Sequence, residues 1–100
     1  MIVYNLSMKI DRSIENEWLP WQKKEHIPEV MATGMFVSNR LLRVIDSPNE
    51  GVTYCVQYVA QSMEDYENYQ QQFAPALQED LNNRFRDKFV AFRTLMEYVA

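Results

Sequence analysis

The sequence predicts an α+β fold in which a four-stranded antiparallel sheet carries two helices on one face. Three observations predict it. Four segments have the alternating or β-branched pattern of strands, two have apolar residues at helical spacing, and their order is β-α-β-β-α-β. Right-handed crossovers fold this order into the ferredoxin-like arrangement. A chain of 100 residues has the length of one domain, so we expect residues 1–100 to form one.

The first strand is indicated by apolar residues that alternate with mostly polar ones from Ile2 to Ile10. Asp11 and Ser13 follow, and their side chains can accept hydrogen bonds from the free N–H groups of a helix start. Trp18 and Trp21 then lie at helical spacing. We therefore expect a strand that leads directly into the first helix, with both tryptophans in the core.

Two prolines interrupt the first helix. Pro20 and Pro28 both lack the N–H that a helix interior uses, and an interior proline costs about 3 kcal/mol unless a kink absorbs it. We expect a bend or break near Ile27-Pro28 and a turn that closes at Gly34.

The two middle strands are predicted to form an antiparallel hairpin. The segment from Met35 to Ile45 is rich in Val, Leu and Ile on both faces, so its register stays open. Residues 46–51 are a turn cluster, and Val52 to Ala60 alternate as a second strand. A connection this short joins neighbouring antiparallel strands.

The second helix and the last strand complete the order. Ser62 and Asp65 have the spacing of a capping box, and apolar residues recur at helical spacing from Met63 to Phe85. Pro75 falls in the middle of this predicted helix. The segment from Phe89 to Val99 is predicted to be a strand that is apolar on both faces.

One sheet face is left without helices in this arrangement. We expect it to be half polar, and a half-polar sheet face usually meets a partner or lines a cleft. The residues that the pattern places there are Val3, Asn5, Ser7, Thr53, Cys55 and Gln57, with Phe89, Ala91, Arg93 and Leu95 from the last strand.

The charge balance argues against a nucleic-acid partner. The net charge is −4, and the adjacent Lys23 and Lys24 are surrounded by glutamates, whereas nucleic-acid binders cluster their basic residues. The RNA-recognition version of this fold stacks bases on aromatic residues of the third strand, where this chain has Thr53 and Cys55. We therefore expect no nucleic-acid partner.

The chain has the features of a cytoplasmic protein. Cys55 is the only cysteine, so no internal disulfide can form. The first residues are too polar for a signal peptide, and no apolar run approaches the roughly 20 residues of a membrane span. We expect a cytoplasmic location and no membrane partner.

Five segments give the chain a recognisable pattern, of which His26-Ile27-Pro28-Glu29-Val30 and Phe89-Val90-Ala91-Phe92-Arg93-Thr94 are the most specific. The full set is residues 2–5, 18–21, 26–34, 51–58 and 88–94. With these segments the chain resembles an uncharacterised family of small bacterial domains of unknown function. The resemblance spans nearly the whole length, and Pro20 departs from the helix former that is usual there.

The resemblance implies a ferredoxin-like fold of the dimeric α/β barrel type, and with it a homodimer. The family has no established activity. We therefore expect a ligand-binding or interaction module. The alternative is a cofactor-free dimeric barrel enzyme, similar to a monooxygenase or cyclase, and a third hypothesis is a sensor that binds a metabolite between subunits.

His26 is the candidate catalytic residue of the enzyme hypothesis. It is the only histidine, and imidazole is the side chain that titrates near neutral pH. Its place before Ile27-Pro28 is similar to that of histidines in the first helix of some dimeric barrel enzymes, where it could transfer a proton in a closed pocket. The alternative is a histidine beside a helix kink that is hydrogen-bonded to a freed carbonyl group.

Four polar side chains are candidate ligand-binding residues: Asn5, Arg40, Gln57 and Arg93. Arginine binds carboxylates through paired donors, although Arg40, Arg43 and Arg93 could equally form cross-strand or inter-subunit ion pairs. Cys55 has no neighbouring base along the chain, so we expect an inert thiol.

We expect no metal and no cofactor. One histidine and one cysteine fall short of four zinc ligands. The resemblance points the same way for haem, since haem-degrading members of the barrel superfamily bind iron through a histidine on the second helix, and the second helix here has none.

Overall fold

A computed structural model describes residues 1–46 and 51–100, and its centre is a four-stranded antiparallel sheet. The strands are β1 (Ile2–Ile10), β2 (Ser38–Arg43), β3 (Val52–Ala60) and β4 (Phe89–Glu97). Their order across the sheet is β2-β3-β1-β4, and every neighbouring pair is antiparallel. The first strand therefore lies inside the sheet, and β2 and β4 form its edges.

The helices fall into two groups on one face of the sheet. The first group is a single helical run made of α1 (Glu15–Trp21), a π-helical turn (Gln22–His26) and α2 (Ile27–Ala32), preceded by a 3-10 turn (Arg12–Ile14). The second group is α3 (Met63–Gln72) and α4 (Ala74–Arg84). The order of these elements confirms the predicted α+β, βαββαβ fold.

The first helix stays continuous through Pro28, where a bend or break was predicted. Pro28 lies in the first turn of α2, directly after the π turn, and its missing N–H removes one hydrogen bond from this continuous run. The irregularity is one turn earlier, where the N–H of Ile27 donates to the carbonyl oxygen of Gln22 and widens the helix into the π turn. The helix ends at Ala32, and the turn that follows closes at Gly34, as predicted, with φ of 77° at that glycine.

Strand β2 is shorter than the predicted segment from Met35 to Ile45. Phe36 turns into the core instead of joining the sheet, so the strand begins only at Ser38. One backbone hydrogen bond continues the pairing at each end of the strand. The N–H of Val37 donates to the carbonyl oxygen of Val59, and the N–H of Val44 donates to the carbonyl oxygen of Thr53. The hairpin is confirmed. Of its predicted turn at 46–51, residues 47–50 lie outside the described residues.

The predicted second helix from Met63 to Phe85 is two helices. Phe73 leaves helical geometry at φ −118° and Ala74 starts α4, because Pro75 has no N–H for the preceding turn. The predicted cap is confirmed, since the hydroxyl of Ser62 accepts from the N–H of Asp65 at 3.1 Å.

The core between sheet and helices is largely aromatic and divides into two clusters. One is built around Tyr4, Phe36, Tyr58, Tyr66 and Tyr69, whose neighbouring rings lie 4.8 to 6.2 Å apart. The other is built around Met8, Ile10, Trp18, Trp21, Tyr54 and Phe85. Both tryptophans are therefore core residues, as predicted.

The register of β4 corrects the predicted open face. Arg93 pairs with Leu6 and Phe92 with Ser7, so Arg93 is on the helix side of the sheet and Phe92 is on the open side. The prediction that placed Phe89, Ala91, Arg93 and Leu95 on the open face was wrong, because a strand that is apolar on both faces has no sequence signal for its phase. No helix within the described parts of the chain is long and apolar enough to cross a membrane.

Candidate functional site

The sheet face without helices, here called the open face, is the first candidate site. Its centre is confirmed as polar, and the register adds residues from both edge strands. Its members are Val3, Asn5, Ser7 and Lys9 of β1, Thr53, Cys55, Gln57 and Val59 of β3, Ser38, Arg40 and Leu42 of β2, and Val90, Phe92, Thr94 and Met96 of β4.

A chain of polar contacts, here called the polar ladder, runs along the two central strands of the open face. The amide nitrogen of Gln57 donates to Oδ1 of Asn5 at 3.2 Å, and Nδ2 of Asn5 donates to the hydroxyl of Ser7 at 3.1 Å. The Ser7 hydroxyl lies 3.6 Å from Sγ of Cys55. The structure thus places the Cys55 thiol beside a hydroxyl group.

The polar ladder is flanked by apolar side chains that are exposed to solvent. On β4, Phe92 is 65% exposed, and Val90 and Met96 are exposed as well. On β2, Leu42 is exposed, and Arg40 pairs with Gln57. The structure therefore brings three of the four candidate ligand-binding residues together on one surface.

Arg93, the fourth candidate, lies on the other side of the sheet. Its Nη1 donates to Oε1 of Gln70 on α3 at 3.0 Å. Both side chains are close to the phenol of Tyr4, whose pKa is raised by burial, an effect that Gln70 and Arg93 partly oppose. Arg93 thus ties β4 to α3 and does not share a site with Asn5 and Gln57.

His26 is buried between the first helical run and α4. Its ring stacks on Trp21 with centroids 4.7 Å apart, and the guanidinium of Arg84 lies 5.4 Å from the Trp21 ring. Burial lowers the pKa of His26 to about 4, and the charge of Asp80 offsets only part of that effect. The imidazole is therefore neutral at pH 7, and its buried Nδ1 has no hydrogen-bond partner.

Two further buried polar atoms without a partner lie on the same helix stripe as His26. They are Nε1 of Trp18, which is a donor, and Oε1 of Gln22, which is an acceptor. Buried polar groups are nearly always hydrogen-bonded, so this stripe departs from the rule. Gln22 was not predicted to matter, although it lies four residues from both Trp18 and His26, a spacing that places it on their face.

A groove between the first helix and the edge of the sheet is the second candidate site. This helix–strand groove has a volume of about 520 Å³, and α1 and the π turn form one wall. Tyr54 is buried against Trp18, with ring centroids 5.0 Å apart, and its hydroxyl donates to Oε2 of Glu15 at 2.7 Å. The lining residues are Glu15, Asn16, Leu19, Pro20, Lys23, Leu41, Arg43 and Tyr54.

The pKa of Tyr54 responds to this environment. Burial and the neighbouring Glu15 carboxylate raise it, while the positive charge of Arg43 opposes the rise. Tyr54 therefore stays a neutral donor that holds Glu15 in place. Sequence reasoning missed this groove because Glu15, Lys23, Arg43 and Tyr54 come from separate segments that only the fold brings together.

Two further grooves lie at the same end of the sheet. One of about 660 Å³ includes Lys9, Arg12 and Lys88, and one of about 320 Å³ includes Arg12 and Arg43. His26 lines none of the three grooves, so the closed pocket that the enzyme hypothesis placed around it is not among them. Residues 1–46 and 51–100 contain no group of three or more His, Cys, Asp and Glu side chains that could hold a metal ion.

Solved structures with the same fold support this architecture at low sequence identity. An EthD-family protein from Bacillus halodurans matches with a TM-score of 0.70 and 13% identity over 99% of this chain and 100% of its own. SnoaB, a cofactor-independent oxygenase from Streptomyces nogalater, matches with a TM-score of 0.70 and 14% identity over 99% and 93%. These similarities identify the ferredoxin-like fold of dimeric α/β barrel proteins.

A third structure shows how varied this fold is. A mutant of MhuD with two manganese protoporphyrin IX molecules bound per active site matches with a TM-score of 0.69 and 18% identity over 100% of this chain and 96% of its own. No curated protein sequence matches the chain. The model of one family, described as Domain of unknown function (DUF4286), matches residues 1–99. The chain therefore belongs to the DUF4286 family of domains of unknown function, in agreement with its resemblance to a family of such domains.

Proposed function

We propose that this domain is a homodimeric binding module in which a second copy of the chain covers the open face. The observation that carries the proposal is the composition of that face: a polar ladder of uncharged groups beside exposed apolar side chains. These are Val90, Phe92 and Met96 on β4 and Leu42 on β2, and such a surface is costly to leave in water.

The low charge of the open face suits a second copy. Only two of its fifteen members, Lys9 and Arg40, are charged, whereas about a quarter of the chain is charged. In a two-fold dimer the same surface must fit itself, and a surface rich in one sign of charge would repel its copy. Amide and hydroxyl groups such as those of Asn5 and Gln57 both donate and accept, so they can pair with their own counterparts.

The size of the open face is also sufficient. Three strands of nine residues and one of six, about 4.8 Å apart and with a rise of about 3.3 Å per residue, give a footprint of about 520 Å². Side chains project from that footprint, so its accessible area exceeds this value. A stable interface buries about 800 Å² of accessible surface per partner. The open face therefore matches the area that a specific dimer needs.

The proposal places a small polar ligand at the polar ladder, between the two sheets. Asn5, Gln57 and Arg40 supply amide and guanidinium groups on one surface. The alternative, a cofactor-free enzyme in which His26 transfers a proton, needs a route from solvent to Nδ1. His26 lines none of the three grooves, so we favour the binding module.

Sedimentation equilibrium of the wild type and of Phe92→Glu tests the assembly. We expect a mass of twice 11.9 kDa at micromolar concentration for the wild type and of 11.9 kDa for the variant, because each interface would bury two unpaired carboxylates. Met63→Glu is the matched control, since Met63 is an exposed apolar residue in the first turn of α3, away from the open face.

The control variant should sediment as the wild type does. A wild type that remains a monomer at high micromolar concentration, or a Phe92→Glu variant that dimerises as tightly as Met63→Glu, would contradict the proposal.

A further inference from the structure

We infer that the helix–strand groove binds a small organic carboxylate that carries an apolar body. The groove lies on the helix side of the sheet, with Tyr54 on the opposite strand face from the polar ladder. The inference therefore goes beyond the dimer and does not depend on it. Its volume of about 520 Å³ lies within the range of pockets that bind small molecules.

Two cations define where the anionic group would bind. Lys23 reaches the groove from the π turn, and Arg43 reaches it from the end of β2. Arginine presents paired donors in a plane that matches the two oxygens of a carboxylate, and lysine adds a mobile point charge. Both side chains are exposed, so they can reorient toward a ligand.

The one acidic side chain of the groove is already engaged. Oε2 of Glu15 accepts from the Tyr54 hydroxyl at 2.7 Å, so this carboxylate is held against the base of the groove. Because Lys23 and Arg43 also line the groove, it carries one net positive charge in a chain whose net charge is −4. An anion is therefore favoured here over a cation or a neutral polar molecule.

Apart from Asn16 and the Tyr54 hydroxyl, the rest of the lining is apolar. Leu19 and Pro20 come from α1, and Leu41 lies on the helix side of β2. The Tyr54 ring is buried against Trp18 and paired in register with Arg43, so the base of the groove is fixed by the sheet. A flat apolar body would contact these side chains while its carboxylate reached the two cations.

Two matched probes, 1-naphthoate and 1-naphthamide, test the carboxylate site directly. They have the same ring system and nearly the same shape, but only the first is charged. We expect 1-naphthoate to bind with a Kd on the order of 0.1 to 1 mM, as ligand efficiency suggests for about 13 non-hydrogen atoms. In NMR titrations the amide signals of Leu41, Arg43 and Tyr54 should shift, and 1-naphthamide should bind at least about 5-fold more weakly.

Variants that each replace one positive charge by a neutral side chain test where 1-naphthoate binds. Lys23→Gln and Arg43→Gln should each weaken 1-naphthoate binding by about 3- to 10-fold, since each removes one charged donor. The matched controls are Lys24→Gln and Arg86→Gln, which remove the same charges from exposed positions outside the groove. The controls should stay within about 2-fold of the wild type.

The outcomes separate this inference from the dimer proposal. Equal affinity for the two probes, or equal loss in Lys23→Gln and Lys24→Gln, would overturn the carboxylate site. Binding that survives in Phe92→Glu supports the groove even if that variant is a monomer. Loss of binding in Arg43→Gln with an unchanged sedimentation mass assigns the effect to the groove alone.

Discussion

His26 shows how burial decides the chemistry of a single side chain. The sequence identified it as the only group that would titrate near neutral pH, and that is true of a free imidazole. Packed against Trp21, it stays neutral well into the acid range because the interior disfavours its charge. Sequence alone could not show this, since burial depends on where α4 packs.

The lowered pKa of His26 makes stability depend on pH. In the unfolded chain the imidazole takes up a proton below about 6.5, whereas in the folded protein it does so only near 4. Between these values the unfolded state binds more protons. The free energy of unfolding should therefore fall by up to about 3 kcal/mol as the pH drops from above 6.5 to 4.

Urea unfolding at several pH values measures this dependence. The variant His26→Gln lacks the titrating group, so its free energy of unfolding should fall less over the same range. Identical pH slopes for the two proteins would show that His26 is not the cause.

At the scale of elements, sequence reasoning succeeded for strands in which apolar and polar residues alternate, because the alternation shows which residues face the core. The alternation of β1 and β3 predicted both faces of the central strands, because only one side of each could pack on helices. It failed for β4, whose residues are apolar on both faces. The prolines act differently: the single helix predicted from Met63 to Phe85 is divided at Pro75, whereas the run that contains Pro28 stays helical, with a π turn just before it.

The cap of α3 offers a test at this scale. Ser62→Ala removes the acceptor for the N–H of Asp65 and should lower the free energy of unfolding by about 1 kcal/mol. Ser62→Thr is the matched control, because it keeps a hydroxyl acceptor at the same position. Chemical denaturation measures the free energy of unfolding of both variants, and an equal loss in the two would contradict the capping role.

For the whole molecule, the sheet separates two surfaces with different chemistry. The open face carries few charges and suits a copy of itself, while the helix–strand groove on the other side carries Lys23 and Arg43. The sequence predicted the first surface because it follows from alternation. It could not predict the second, which joins residues as distant as Glu15 and Tyr54.

The interior position of β1 predicts a gradient of amide protection. Strand β1 has partners on both sides, whereas β2 and β4 each have one. Hydrogen exchange followed by NMR should be slowest in β1 and β3 and faster in β2. A strand with a neighbouring strand on each side can open only when the whole fold opens. Exchange in β1 as fast as in β2 would contradict this order.

The same position also fixes when the protein can fold during synthesis. Ile2 pairs with Ala60 on one side and with Glu97 on the other, so β1 is synthesised before both of its partner strands. Contacts this distant along a chain form slowly. Until Phe89–Glu97 emerges from the ribosome, one edge of β1 stays open to strands of other nascent chains, and that interval is when aggregation is most probable.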